Sequence, residues 1–310
     1  MGTTTLRTCT NPGSLRFVWL EVTGRCNETC DHCYADSGPT GTHGTMTVPD
    51  WKRAIDQFAD MGGRDVQFIG GEPTLYPHLS DLITHASTRR LGIEIFSNMT
   101  VIRDGLWETF KARGVKLATS YYSDNAEEHD AVTNLRGSHR KTRANIAKAV
   151  ELGIPIRGGV VAVRTAQRVN QAVTDLQAIG VGQVGGDRTR AFGRASQGAT
   201  PTVNDLCGHC ALGQVAIGPD GGVWPCVLGR FITLGNVRDT PLAEVWHSRR
   251  MVDARAEIAS AHGLKPAEAC SPPQFLPSCG PCGPCVPSVG SCDPKEAESA
   301  PPAATIGAPT

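Results

Sequence analysis

Residues 16–34 read RFVWLEVTGRCNETCDHCY, and this stretch decides how the rest of the chain is interpreted. Arg16 to Val22 is a short apolar run without helical spacing, which predicts a buried strand. A polar loop with three cysteines follows, and residues 47–62 then show helical spacing and end in glycine. The stretch therefore predicts a strand, a loop and a helix in succession.

The same succession recurs along the chain to about residue 186. Further strands are predicted at 65–70, 92–98, 115–122, 155–163 and 181–187, and further helices at 78–90, 104–114, 139–153 and 168–180. About six strand-helix units with short connections indicate a parallel sheet. Because eight units close a full barrel, six predict an α/β fold of the partial (β/α)6 barrel type, open on one side. A flat, doubly wound sheet is the alternative.

The amino-acid composition indicates which partners, which cellular location and which cysteine chemistry to expect. The 310 residues include 30 Lys plus Arg and 30 Asp plus Glu, so the charge balance does not indicate nucleic acid or an anionic membrane as the partner. No apolar segment reaches about 18 residues and no signal-type segment opens the chain, which predicts a soluble cytoplasmic protein. The 12 cysteines are then expected to be thiols for metal or redox chemistry. Cys9 stands apart from the cysteine clusters and receives no role.

Each notable motif follows a predicted strand. The cysteine loop follows the first strand, GGEPTL (70–75) the second, SNM (97–99) the third and SYYSD (120–124) the fourth. The loops after parallel strands gather at one end of a sheet, where ligands bind. These motifs are therefore expected to converge.

Cys26, Cys30 and Cys33 allow three interpretations. They could be the buried stripe of a helix, but the residues between them supply no apolar face. They could bind zinc with His32, although structural zinc sites usually pair two short elements across a longer stretch. An iron-sulfur cubane fits best, because each thiolate can reach one iron corner. Three ligands then leave one iron open for a chelating substrate.

The spacing C-x3-C-x2-C after the first strand, with GGEP after the second, resembles the radical S-adenosylmethionine (radical SAM) enzymes. The resemblance implies that Cys26, Cys30 and Cys33 bind a 4Fe-4S cluster whose open iron is chelated by S-adenosylmethionine. Cleavage of this cofactor would give a 5'-deoxyadenosyl radical, which takes a hydrogen atom from the substrate. Chemistry of this kind needs an electron donor, such as flavodoxin or ferredoxin.

The resemblance also assigns cofactor contacts. Gly70, Gly71, Glu72 and Pro73 match the segment whose backbone and carboxylate meet the methionine amino group. Without the cysteines, this segment would be read as an ordinary strand-to-helix turn.

Further contacts are carried over from later motifs. Ser97 and Asn98 match strand-end residues near the ribose, although Met99 stands where glycine is common. Ser120 resembles a serine that reaches the cofactor's carboxylate or ribose; the alternative is a plain strand-end hydroxyl. His32 occupies the position of an aromatic residue near the adenine.

Residues 127–161 look like the middle of the peptide-modifying branch of this family, and the resemblance covers roughly residues 16–250. His129, Asp130 and Arg136 fall in this segment. They are interpreted as scaffold or helix-end groups, without a chemical role.

A second cysteine group lies farther along the chain. Cys207 and Cys210 form CGHC, Cys226 ends GPDGGVWPC, and residues 235–248 follow. The turn signal in GPDGG predicts a hairpin that presents Cys226. Together these features resemble the extension called SPASM, or twitch in its shorter form, which carries auxiliary 4Fe-4S clusters. On the residues alone, part of a zinc knuckle is the alternative.

The C-terminal tail adds more cysteines among many prolines: Cys270, Cys279, Cys282, Cys285 and Cys292. Their spacing departs from the usual extension, which leaves one or two auxiliary clusters open. The tail is expected to be disordered beyond Cys292. The predicted organisation is an N-terminal extension (1–15), a radical SAM partial barrel (16–195), a C-terminal cysteine-rich auxiliary cluster domain (196–292) and a tail (293–310).

The resemblance implies an enzyme that installs a radical modification on a ribosomally made peptide: a thioether, a carbon-carbon crosslink or an epimerised centre. Few residues precede the first strand, so a separate peptide-recognition protein is expected. The first alternative is an epimerase or oxidoreductase that acts on a small metabolite such as an aminoglycoside. A non-enzymatic zinc-binding protein is an alternative of another class.

Overall fold

The computed structural model describes residues 13–263. Strands β1 to β9 are Phe17–Glu21, Asp65–Ile69, Gly92–Phe96, Lys116–Tyr121, Ile156–Ala162, Gln183–Arg188, Gln214–Ile217, Gly222–Trp224 and Gly235–Asn236. Helices α1 to α8 are Val48–Asp60, Leu79–Thr88, Asp104–Ala112, Ala126–Thr133, Ser138–Glu151, Val169–Ile179, Leu242–His247 and Arg249–Ala261.

Within residues 13–263 the strands form one sheet in the order β6-β5-β4-β3-β2-β1-β7-β8-β9. Strands β1 to β6 are parallel and lie side by side in chain order. The two outermost strands of this order, β6 and β9, do not pair with each other, so the barrel stays open. The predicted partial barrel is confirmed, and the sequential strand order argues against the doubly wound alternative.

The sheet separates two apolar layers. Val18 and Leu20 of β1 pack with the helices in the larger core, whereas Phe17 and Trp19 point to the opposite, interior side. This alternation is what a strand buried on both faces requires. The interior layer is the one that borders the candidate site.

The loop after β1 leads into a well-defined helix start. The Thr47 hydroxyl accepts a hydrogen bond from Asp50 N, and the Asp50 carboxylate accepts one from Thr47 N, which is a capping box at the start of α1. This cap fixes where the cysteine-bearing loop ends.

Some elements go beyond the sequence-based expectations. Helices α4, α7 and α8 were not predicted. Strand β7 was expected only as part of a C-terminal hairpin; the hairpin with β8 is present, but β7 also pairs in parallel with β1. The cysteine-rich part of the chain therefore extends the barrel sheet. No helix within residues 13–263 combines the length and apolar content needed to cross a membrane.

Candidate functional site

The first three cysteines lie on the loop between β1 and α1. Cys26 is buried, Cys30 and Cys33 are partly exposed, and no disulfide joins them. Cys26 N donates to Gly38 O at 3.0 Å, and Cys33 N donates to Cys30 O at 3.2 Å. The structure thus places the three thiols on one loop at the carboxyl end of β1.

The charge environment of these thiols fits a bound cationic group. Burial, followed by the negative charge of Glu72, raises the pKa of Cys26; burial, followed by Glu28, raises that of Cys30. Adjacent thiolates in such surroundings need positive charge beside them. Iron supplies this charge, so the donor set suits a 4Fe-4S cluster held by cysteine.

Gly70 and Gly71 bring the end of β2 against the cysteine loop. Gly71 N donates to Thr23 O at 2.7 Å, and Glu72 N donates to Arg25 O at 2.8 Å. A Cβ atom on Gly70 would lie 2.4 Å from Thr23 O, and one on Gly71 would lie 2.4 Å from Arg25 O. Only glycine permits this approach of two backbones.

The buried Glu72 side chain ties β2 to the end of β3. Its Oε1 accepts hydrogen bonds from Thr74 N at 3.0 Å, the Thr74 hydroxyl at 2.7 Å and the Ser97 hydroxyl at 2.8 Å. Its Oε2 accepts one from Asn98 N at 2.7 Å. Burial raises the pKa of Glu72 despite these donors. Protein groups therefore already occupy most of the carboxylate, and Oε2 is the oxygen that retains acceptor capacity.

Asn98 connects the end of β3 to the cysteine loop. Its Nδ2 donates to Asn27 Oδ1 at 3.0 Å and lies 3.8 Å from Cys26 Sγ. Met99 follows with a φ of 60°. This is the left-handed region that favours glycine, so Met99 adopts a backbone conformation that is uncommon for a residue with a side chain.

Ser120 lies near the carboxyl end of β4. It is buried, and strand alternation places it on the same interior face as Ala118. Ser97, Asn98 and Ser120 therefore all lie at the carboxyl ends of β3 and β4, as the motif order predicts.

His32 packs edge-on against Tyr122, with 5.0 Å between ring centroids. Burial lowers the pKa of His32 to about 4, so its ring is neutral at pH 7. Within residues 13–263 neither ring nitrogen of His32 has a hydrogen-bond partner. Buried polar atoms are rarely left unsatisfied, so this position fits contact with a bound group.

The auxiliary cysteines come together at the β7–β8 hairpin. Cys207, Cys210 and Cys226 are buried, and Cys210 Sγ lies 3.1 Å from Cys226 Sγ. Hydrogen bonding to Cys207 and Cys226, together with burial, raises the pKa of the Cys210 thiol. Ala211 N donates to Pro225 O at 2.9 Å, which joins the two cysteine-bearing segments. This donor set also suits a group that supplies positive charge.

The two cysteine groups border one interior. Tyr34, which follows Cys33, packs in the same interior apolar layer as the three auxiliary cysteines, and so does Phe192. In the described part of the chain, no three His, Cys, Asp or Glu side chains are arranged to hold a single metal ion. The predicted tail ligands Cys270, Cys279, Cys282, Cys285 and Cys292 lie outside the described residues.

The loop after β6 supports the first cysteine group. The sequence pattern did not indicate this support. Arg194 N donates to Cys33 O at 3.0 Å, and Arg194 Nε donates to Cys30 O at 2.9 Å. Arg194 Nη1 also pairs with Asp36 at 2.8 Å. Arg194 and Cys30 are 164 positions apart, so only the tertiary fold reveals this contact.

His129 and Asp130 lie in α4, and Arg136 lies in the turn between α4 and α5. The Asp130 carboxylate accepts hydrogen bonds from Ser138 Oγ and His139 N, both at 2.9 Å. His129 is buried with its Nδ1 3.1 Å from Ser138 Oγ, and Arg136 is exposed. These contacts stabilise the α4–α5 connection.

Comparisons with protein families match both cysteine groups. A model described as the Radical SAM superfamily matches residues 20–168. A model of the iron-sulfur cluster-binding domain SPASM matches residues 207–285. Each match includes one of the two cysteine groups.

Two curated relatives illustrate the similarity. The antilisterial bacteriocin subtilosin biosynthesis protein AlbA of Bacillus subtilis is 24% identical over 301 residues, which cover 83% of this chain and 67% of AlbA. A PqqA peptide cyclase of Bradyrhizobium diazoefficiens is 30% identical over 162 residues, which cover 52% of this chain and 42% of the cyclase. The chain spans less than half the length of several curated relatives that it matches.

A solved structure shows the same fold. SuiB of Streptococcus suis, bound to its precursor peptide SuiA, superposes with a TM-score of 0.67 at 16% identity over 79% of this chain and 67% of SuiB. The two family matches and this fold agree with the geometry of both cysteine groups. The chain belongs to the radical SAM superfamily as an enzyme that uses S-adenosylmethionine and 4Fe-4S clusters and carries a SPASM-type cluster-binding domain.

Proposed function

We propose that this enzyme installs a radical modification on a ribosomally made peptide. The observation that carries the proposal is the match over 83% of the chain to AlbA, a bacteriocin biosynthesis protein. The solved structure of SuiB with a precursor peptide adds a relative of the same fold that binds a peptide. The non-enzymatic zinc-binding alternative does not agree with the family membership.

Specific residues would hold the cofactors. Cys26, Cys30 and Cys33 would hold the radical SAM cluster, and Cys207, Cys210 and Cys226 an auxiliary cluster. When bound, the cluster and S-adenosylmethionine supply reductive cleavage to a 5'-deoxyadenosyl radical, which removes a hydrogen atom from the substrate. The SPASM match reaches residue 285, so tail ligands from Cys270, Cys279, Cys282 and Cys285 are proposed to complete the auxiliary set.

The protein's own groups would orient the cofactor. Gly71 and Glu72 hold the GGEP segment on the cysteine loop through backbone hydrogen bonds. Ser97 and Asn98 fix the Glu72 carboxylate, which leaves Oε2 to accept from an ammonium group. Ser120 would contribute a hydroxyl at the neighbouring strand end.

The interior of the barrel would protect a radical from solvent. Phe17, Trp19, Ile69 and Phe96 line it with buried apolar side chains. An apolar, water-poor interior prevents side reactions of a reactive intermediate. The auxiliary cysteines border this interior, and the cluster that they would hold there would accept an electron from the substrate or bind a substrate group.

Partners complete the proposal. A reduced flavodoxin or ferredoxin would supply the electron, and a separate recognition protein would present the peptide. The organisation into a barrel (16–195) and an auxiliary domain (196–292) is part of the same proposal.

Anaerobic reconstitution tests the proposed function. The full chain would be combined with iron, sulfide, reductant, S-adenosylmethionine and peptides encoded beside its gene. We expect 5'-deoxyadenosine and a peptide whose mass shows the loss of two hydrogen atoms for a crosslink. In deuterated solvent, epimerisation would instead add one deuterium. Turnover of a small metabolite and no peptide in the same assay would contradict the proposal.

A further inference from the structure

Arg230 is a largely buried cation that neither cysteine motif predicted. It lies on the loop between β8 and β9, four residues after Cys226. Its Nη2 forms an ion pair with the Glu21 carboxylate, whose side chain is only 2% exposed. A buried carboxylate of this kind is costly unless paired, so Glu21 holds Arg230 firmly.

Two aromatic rings also hold the guanidinium. Arg230 Cζ lies 5.2 Å from the ring centroid of Tyr34 and 4.9 Å from that of Trp224. Both distances are within the range of cation–π interaction. Arg230 Nε additionally donates a hydrogen bond to Val227 O at 3.2 Å.

The positions of these partners in the sequence explain why the contacts matter. Glu21 ends β1, from which the first cysteine loop starts, and Tyr34 directly follows Cys33. Val227 directly follows Cys226. One guanidinium therefore joins the supports of both cysteine groups across the barrel interior.

Another arginine provides a matched comparison. Arg255 stacks over Trp246 with Cζ 4.0 Å from the ring, and its Nε donates to Ala211 O at 2.9 Å. It has the same kind of aromatic and carbonyl contacts as Arg230, but these contacts lie within the C-terminal part of the chain. Ala211 directly follows Cys210, so Arg255 also supports the auxiliary cysteine loop, but none of these contacts reaches the first cysteine loop. Arg255 thus separates the loss of a supporting arginine from the loss of the connection between the two loops.

We propose that Arg230 is a positioning residue that fixes the auxiliary cysteine loop to the radical SAM loop and favours reduction of the auxiliary cluster by neutralising the buried Glu21 carboxylate. The inference rests on the proposed role of Cys207, Cys210 and Cys226 as ligands. Reduction adds one electron, from dithionite in the test below, and forms or breaks no bond. Without the guanidinium the buried Glu21 carboxylate is left unpaired, and an uncompensated negative charge disfavours the more negative, reduced cluster.

The test is an anaerobic redox titration of the reconstituted full chain, followed by electron paramagnetic resonance. A C26A/C30A/C33A background leaves the auxiliary cluster as the source of the signal. We expect R230M to lower the equilibrium constant for one-electron reduction at least about tenfold, which is 59 mV. R230K keeps the charge and is expected to stay within about threefold.

The positioning role of Arg230 is measured separately, in the chain that retains Cys26, Cys30 and Cys33. Lysine cannot stack between two rings while pairing with a carboxylate as arginine does. We therefore expect R230K and R230M both to form less product per S-adenosylmethionine cleaved, whereas R255M keeps the ratio of the unsubstituted chain.

Two results would overturn the proposal, and they have different meanings. An auxiliary signal whose potential is unchanged in R230M would remove the role of Arg230 and leave the proposed function standing. Absence of iron from the C26A/C30A/C33A background would remove the ligand assignment itself. If R230M does not take up iron, R230Q carries the same expectation for the loss of charge.

Discussion

The two cysteine groups of this enzyme are built in opposite ways. The first takes its three thiols from one polar loop, and two of them are partly exposed. The second joins Cys210 to Cys226, 16 positions away, and all three of its described thiols are buried. The first group is fastened by surrounding backbone and keeps an accessible side, whereas the second is enclosed in the interior layer. This difference is in line with the proposed function, in which the first group meets a diffusing cofactor and the second serves the substrate or its electron.

Replacing Cys210 with alanine is the sharpest way to separate the two centres. The first group keeps all its ligands, so we expect cleavage of S-adenosylmethionine to stay within about tenfold while peptide product falls at least about a hundredfold. Both quantities are measured by anaerobic mass spectrometry. Cys9→Ala is the matched control and is expected to change neither. Undiminished product in Cys210→Ala would show that the enclosed group has no part in the reaction.

A substitution at Gly71 should disrupt the packing of the β2 end against the first cysteine loop. An alanine there places Cβ 2.4 Å from Arg25 O, so the β2 end must move away from the cysteine loop. We expect the free energy of unfolding to fall by about 2–4 kcal/mol. Cleavage of S-adenosylmethionine should fall with it.

Gly105 offers the control for this substitution. It lies in α3, and no atom would come within 4 Å of an added Cβ. Gly105→Ala is expected to raise the free energy of unfolding by about 0.5–1 kcal/mol, because alanine favours helix. Urea unfolding of both variants measures the two changes in the free energy of unfolding. Equal stabilities would mean that the loop does not depend on the glycine contact.

A smaller effect, that of pH on the free energy of unfolding, is expected from His129, which lies outside both cysteine groups. Burial lowers the pKa of His129 from 6.5 to about 3. Below pH 6.5 the unfolded chain binds a proton at His129 that the folded chain does not bind, so the free energy of unfolding falls as the pH falls. His129 should account for a loss of about 1 kcal/mol between pH 6.5 and 5.5.

His129→Gln isolates this contribution. The variant cannot take up the proton, so its stability should decline less steeply over the same interval. Urea unfolding of both chains at several pH values gives the difference in slope. Parallel pH profiles would contradict the assignment of the effect to His129.

The sequence predicts most of the barrel because its signals are local. The run from β1 to α1 is recognisable from one apolar strand, one polar loop and the helical spacing of residues 47–62, which end in glycine. Helix α4 was missed because the residues it buries are His129, Val132 and Thr133, which form no apolar stripe. The short strand β7 carries no signal that it pairs with β1.

The candidate site shows the same difference between local sequence signals, which can be predicted, and long-range contacts, which cannot. The three cysteines and GGEP are visible because each motif is contiguous, and strand order predicts that they meet. Arg194 contacts Cys30 from 164 positions away, and Arg230 contacts Glu21 from 209 positions away. No sequence pattern predicts these contacts, because they depend on the curvature of the sheet and on the position at which the β7–β8 hairpin packs.

The most direct test of the account is the triple variant C26A/C30A/C33A in the full, reconstituted chain. We predict that it forms no 5'-deoxyadenosine above background and loses the iron of that loop, while the auxiliary iron signal remains. A variant that still cleaves S-adenosylmethionine at the rate of the unsubstituted chain would contradict the claim that the exposed cysteine loop generates the radical.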